Sequence, residues 1–183
     1  MFRAIRRLLL LLCVAVIAGG ALLTLTGKPK LEDARRDVAD EWSTIRSRLS
    51  TRYENLAVIT EALRTSGREL AITEALSAAH STWDSTSTSN TDSDAIARQI
   101  SAANALEGVL RRVRGIVAAS PRFSKNGDLT SALDRLSQTG TDPAQIEALN
   151  RSIDAANHER DGFLRRLVAT ALGYRDIPYF AGE

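Results

Sequence analysis

His80 and His158 are the two histidines of the chain, and Cys13 is its one cysteine. His158 lies in the run Asn157-His158-Glu159-Arg160-Asp161, four residues after Asp154 and three before Asp161. On a helix those spacings bring two side chains to one face, as a metal site requires. Charged helices carry such pairs by chance and no second histidine stands nearby, so the pattern reads as a solvated face. Neither a metal nor a cofactor is expected. His80 falls near an expected helix end, where capping or exposure is the ordinary role. Gly-x-Ser-x-Gly, Cys–His pairs and phosphate-cradling glycine loops do not occur in the sequence. Carboxylates alternate with arginines, as in Glu32-Asp33-Ala34-Arg35-Arg36-Asp37. That spacing suits surface ion pairs rather than acid–base catalysis. No catalytic residue is assigned, and the chain reads as non-enzymatic.

Three polar positions stand against the apolar pattern. Arg160 falls on a seam between Ala156 and Phe163. A buried guanidinium needs a carboxylate. Arg160 is therefore expected either to pack its stem with its head in water, or to pair with an acid on the first helix, Glu41. Asn150 and Asn157 are seven apart and flank the same seam, a placement for hydrogen bonds across helices that fix register. Trp42 and Phe163 read as core.

These residues need helices to position them. Val38, Trp42, Ile45, Leu49, Leu56, Ile59 and Leu63 recur three and four apart, the period of an amphipathic helix. The stretch is expected to run past Gly67 to about His80. Ser81 to Asp94 is rich in serine and threonine and reads as a mobile loop, with Trp83 tacking it onto the bundle. A second long helix is expected from Asp94 to Ala119, stopped by Ser120-Pro121. A short one follows over Asp128 to Leu136. Asp142, Pro143 and Gln145 mark the start of the last helix. Its seam runs through Ile146, Leu149, Ile153, Ala156, Phe163 and Leu167 to an end at Gly173. The tail Tyr174 to Glu183 is expected to fold back or extend.

The amino-terminal segment has a different character. Leu8 to Thr26 is free of charge over 19 residues, about 28 Å of helix at ~1.5 Å per residue, enough to span a hydrocarbon core. Arg3, Arg6 and Arg7 precede it, which places the amino terminus in the cytoplasm and the remaining chain outside. Ala18-Gly19-Gly20 offers a signal-peptide alternative, but the apolar run continues through Leu22, Leu23 and Leu25, which favours a retained anchor. Three of the 24 basic residues lie before residue 28, leaving 21 against 22 acidic ones. Such a balance gives no basic excess for a phosphate backbone, and no nucleic-acid partner is expected. The fold expected is all-α: an amino-terminal transmembrane helix followed by an elongated antiparallel bundle of three long helices plus one short helix.

Two stretches, taken together, resemble the LemA family of bacterial membrane-anchored proteins. In the last helix the likeness rests on Leu149-Asn150, Ile153, Ala156-Asn157 and Phe163, then Leu172-Gly173-Tyr174 and Pro178-Tyr179-Phe180. In the first it rests on Trp42-Ser43, Ile45, Leu49, then Arg52-Tyr53-Glu54-Asn55-Leu56 and Ile59. Ser120-Pro121-Arg122-Phe123-Ser124-Lys125-Asn126 is similar to the family's Tyr-Pro connector. Ala57 and Leu164 stand where the family has proline, Ala156 replaces a tyrosine, and Arg160 replaces an aliphatic residue, as in a divergent member. The resemblance implies residues 1–27 as a basic stub and anchor in the bacterial inner membrane, and residues 28–183 as an extracytoplasmic helical bundle. It implies no reaction. The function expected is a structural or interaction protein of the cell envelope, with a protein partner or further copies of itself as partner. The alternative is an extracytoplasmic sensor or ligand-binding module near His158 and Arg160. The residues singled out for interaction or register are Arg52, Tyr53, Asn150, Asn157, Arg160, Phe163, Tyr174 and Phe180.

Overall fold

The computed structural model describes residues 29–65, 70–87, 93–121, 123, 125–161, 166–167, 169–170 and 173–182. The expected anchor over Leu8 to Thr26 lies outside the described residues, as does Phe163. Among the described residues no helix is long and apolar enough to cross a membrane, and all regular structure is helical. Helix α1 covers 29–53, followed by α2 (Leu56–Thr65), α3 (Leu70–Ser87), α4 (Ser93–Ala119), α5 (Gly127–Gln138) and α6 (Pro143–His158).

The first apolar stripe forms as its spacing dictates. Val38, Trp42, Ile45, Leu49, Leu56, Ile59 and Leu63 are all buried. The single helix expected from there to His80 is instead three. A turn at Glu54-Asn55 separates α1 from α2 without changing the heptad phase of the stripe. Helices α2 and α3 then pack on each other, as do α3 and α4, and α2 and α5. A continuous helix of that length would leave its apolar face without partners, whereas the folded-back arrangement buries Ile72, Leu76 and Trp83 in one core with the α1 stripe.

The loop expected over Ser81 to Asp94 also needs correction. Its first half is the last two turns of α3, to Ser87. Hydroxyls there bond back into the helix, Thr82 Oγ1 to the Ala78 carbonyl and Thr86 Oγ1 to the Thr82 carbonyl, both at 2.9 Å. Serine and threonine are indifferent helix formers, but Trp83 is 2% exposed. Burying a side chain of that size outweighs the few tenths of a kcal/mol per residue that propensity withholds.

The other boundaries follow local chemistry. Asn126 caps α5, accepting from the Leu129 amide at 3.2 Å. Asp142 caps α6, accepting from the Ala144 amide at 2.9 Å, with Pro143 in the first turn. Helix α6 ends at His158, where one helix running to Gly173 was expected; a turn follows at Glu159-Arg160, and residues 166–167 and 169–170 are again helical. Near Gly173, at φ +74°, the Tyr174 amide bonds the Ala169 carbonyl and the Gly173 amide the Thr170 carbonyl. That pair of bonds is the Schellman arrangement a glycine end favours.

An edge-to-face chain of aromatic rings sits at the centre. Phe180 meets Trp42 at 5.8 Å, Trp42 meets Trp83 at 6.4 Å, and Trp83 meets Tyr53 at 5.3 Å between centroids. Trp83 is the link between the α1 rings. Trp83→Ala is expected to lower unfolding free energy by about 3–5 kcal/mol, read as a fall in the urea midpoint with unchanged slope. Trp83→Phe should recover more than half of that loss.

Candidate functional site

The helical seams of α1 and α4 carry polar side chains at core positions. Arg52 occupies the heptad position of Val38, Ile45 and Ile59, and it is fully buried. Glu107 lies between Leu106 and Leu110 at 2% exposure. Its carboxylate accepts from the Tyr53 hydroxyl at 2.6 Å and pairs with Arg52 Nη2 at 3.3 Å. One turn-pair away, Trp42 Nε1 donates to Gln99 Oε1 at 2.7 Å, and Gln99 Nε2 donates to the Thr86 carbonyl at 3.0 Å. Adjacent residues Arg52 and Tyr53 thus converge on one carboxylate, and both oxygens of Glu107 are engaged.

The carboxyl-terminal tail is the second feature. Residues 174–182 form no regular element, yet side chains of α4 and α6 satisfy their backbone. Asn157 donates to the Ile177 carbonyl at 2.9 Å and accepts from the Ile177 amide at 3.0 Å. Asn150 does the same for Phe180, both at 2.9 Å. Asn104 of α4 donates to the Tyr179 carbonyl at 2.8 Å and accepts from the Ala181 amide at 2.9 Å. A carboxamide carries a donor and an acceptor side by side, so each one matches a backbone N–H and C=O pair on an extended chain. The spacing of seven sets Asn150 and Asn157 two turns apart on one face of α6. Ile177 and Phe180 bury their side chains between those bonds, at 2% and 1% exposure.

Charged groups tie the ends of the tail. Arg160 pairs with Asp176 at 2.6 Å, its own side chain 17% exposed. The partner is therefore an exposed acid on the tail, not Glu41, the acid named for the alternative of a pairing with the first helix. Arg35 Nη2 donates to the Arg175 carbonyl at 2.6 Å, and the guanidinium lies 4.1 Å from the centre of the Tyr174 ring. Burial pushes the Arg35 guanidinium below its ordinary range, while Tyr174, Asp94 and Asp176 pull it back up and Arg160 adds to the lowering. It stays charged at any physiological pH. Tyr179, half exposed, donates its hydroxyl to Asp154 Oδ1 at 2.8 Å.

Of the residues singled out in the sequence, Asn150, Asn157, Arg160, Tyr174 and Phe180 meet at the tail, whereas Arg52 and Tyr53 form the Glu107 cluster. Asn104, Gln99, Glu107 and Arg35 were missed. Gln99 and Glu107 had a signal, being polar at seam positions of an apolar helix; Asn104 had none, being a single polar residue beside the seam with no second amide at a heptad spacing on α4. His158 lies 3.9 Å from Asp161 with its side chain 83% exposed, a surface pair. Among the described residues no three His, Cys, Asp or Glu side chains gather as a metal site. An open groove of ≈ 690 Å³ runs beside the tail, lined by Thr86, Asp94, Arg98, Ser101, Arg175 and Asp176 among others. Comparison with protein-family models, with curated protein sequences and with solved structures finds no match to this chain.

Two outcomes are expected. Glu107→Ala removes the buried carboxylate on which Arg52 and Tyr53 converge and should destabilise the fold by about 3–5 kcal/mol, measured by urea unfolding. The second concerns Tyr179. Its hydrogen bond to Asp154 requires the neutral phenol and raises its pKa above the ordinary value near 10. The contact is fully present below the unfolded-state pKa and is lost as pH rises through the higher folded value. Nuclear magnetic resonance of ζ-carbon-labelled tyrosine should show Tyr179 titrating late, and Asp154→Asn should move it earlier; an unmoved titration would remove Asp154 as the cause.

Proposed function

We propose that the chain is a membrane-anchored, non-enzymatic structural or interaction protein of the bacterial envelope, a divergent relative of the LemA family. In this reading Leu8 to Thr26 spans the inner membrane and the helical bundle stands outside the cytoplasm. The reading's main support is the use to which its polar residues are put. Glu107, the most buried acid among the described residues, is held by Arg52 and Tyr53. Asn104, Asn150 and Asn157 are engaged by the tail backbone. These groups hold helices and tail in register, a structural employment. The residues that carry the LemA likeness include the tail clamp: Asn150, Asn157, Tyr174 and Phe180. The long uncharged amino-terminal run, with arginines before it, supports the anchor.

The open groove beside the tail favours a second reading, a ligand-binding module, since it places Asp94, Arg98, Arg175 and Asp176 around a partly apolar trough. A ligand of the folded state must raise its melting temperature. Unchanged melting of the protein across a panel of amino acids, short peptides and divalent cations would dispose of this reading.

The structural reading predicts self-association or a constant partner. Lys30 and Lys125 are exposed and admit amine-reactive cross-linking of intact cells. The full chain is expected to give defined homo-oligomers, and a shortened chain beginning at Lys28 to run as a monomer at the same protein concentration. A full chain that stays monomeric and captures no protein reproducibly would overturn the proposal.

A further inference from the structure

We propose that the trough between α4 and α6 is a binding site for an extended peptide, filled within the chain by residues 175–182, and that neighbouring copies exchange these tails. The proposal rests on the reading of the chain as a membrane-anchored, self-associating protein and names the contact by which the copies would meet.

The tail is bound as a ligand is bound. Six hydrogen bonds from three carboxamides reach its backbone, and they read main-chain N–H and C=O groups rather than side chains. Two apolar anchors three residues apart, Ile177 and Phe180, fill the spaces between. This is the logic of extended-peptide recognition, with main-chain bonds for affinity and pockets for selected side chains. The hydrogen bonds and ion pairs described for residues 175–181 go to α1, α4, α6 or the turn after α6. None of these described contacts therefore requires the tail to belong to the same chain. An identical tail from a neighbour reproduces every described contact without new surface, which makes exchange of an identical segment a low-cost route to assembly. The rim contacts that must break are exposed on at least one side: Asp176 is 74% exposed and Tyr179 52%. Exposed pairs of this kind add little to stability. Gly173, at φ +74°, ends the preceding turn and sets the direction in which the tail departs. Tethering copies in one membrane raises the effective concentration of each tail near its neighbour's trough.

The experiment uses two full-length chains with different tags, co-expressed in the membrane, each carrying Cys13→Ala. One carries Asp154→Cys on α6 and the other Tyr179→Cys on the tail, replacing a pair in direct hydrogen-bond contact. A short bismaleimide is added to isolated membranes. Tail exchange predicts a cross-linked product bearing both tags. A single chain with both cysteines is the control and should cross-link within itself. Adding Phe180→Asp to the Tyr179→Cys chain should cut the mixed product by roughly tenfold or more. An internal cross-link in the control with no mixed product overturns the proposal. If amine-reactive cross-linking still gives homo-oligomers in those membranes, tail exchange alone has failed; if it gives none, self-association has failed with it.

Discussion

A carboxylate at the centre of an apolar bundle is tolerable only when its charge and its lone pairs are answered, and Glu107 imposes that condition on the rest of the structure. A desolvated, unanswered acid costs several kcal/mol. Arg52 and Tyr53 must both reach it, which sets the axial offset between α1 and α4. Ten residues earlier along α1, Trp42 meets Gln99 and confirms the same offset. The two contacts advance together along both helices, so α1 and α4 run in the same direction. Apolar side chains alone would tolerate a slip of one turn; these two polar contacts would both be lost by it.

The same condition explains the tail. A segment with no helix or sheet to satisfy its backbone cannot be buried unless side chains supply the missing partners. Asparagine is the economical choice because one group answers both a donor and an acceptor. Once the backbone is answered, Phe180 can extend the aromatic chain of Trp42, Trp83 and Tyr53. The core is therefore completed from outside the helices, by a segment with little intrinsic structure.

Periodicity carried the all-helical class and the buried stripe of α1 and α2, and local signals carried the cap of α6 and the role of Gly173. Periodicity failed where tertiary burial overrode local signals: Trp83 drew a serine- and threonine-rich run into α3, and packing of α2 on α3 replaced one long helix with shorter ones. Asn150 and Asn157 were legible as polar residues flanking a seam, and expected to bond across helices. Their partner is the tail because an amide seven residues from its neighbour is matched by a pair of extended residues as well as by another helix. Arg160 was legible as a misplaced charge, yet its partner is Asp176, adjacent in space only because the tail returns along α6. Sequence spacing cannot reveal contacts that depend on the path of an irregular segment.

What distinguishes this tail from a strand in a sheet is where its hydrogen bonds end. In a sheet, removing one strand leaves its neighbour's backbone exposed, and the loss propagates along the ladder. Here, removal of the tail leaves three asparagine side chains that water can satisfy, while the helices keep their own backbone bonds. The hydrogen-bonding part of release is thus an exchange of protein partners for water, worth only about 0.5–1.5 kcal/mol per bond. The larger part is the exposure of Ile177 and Phe180 and of the surfaces they cover, which an identical tail restores in full. A segment held mainly by two apolar anchors, and aligned by bonds that water can replace, is bound firmly enough to complete the core while remaining separable from it.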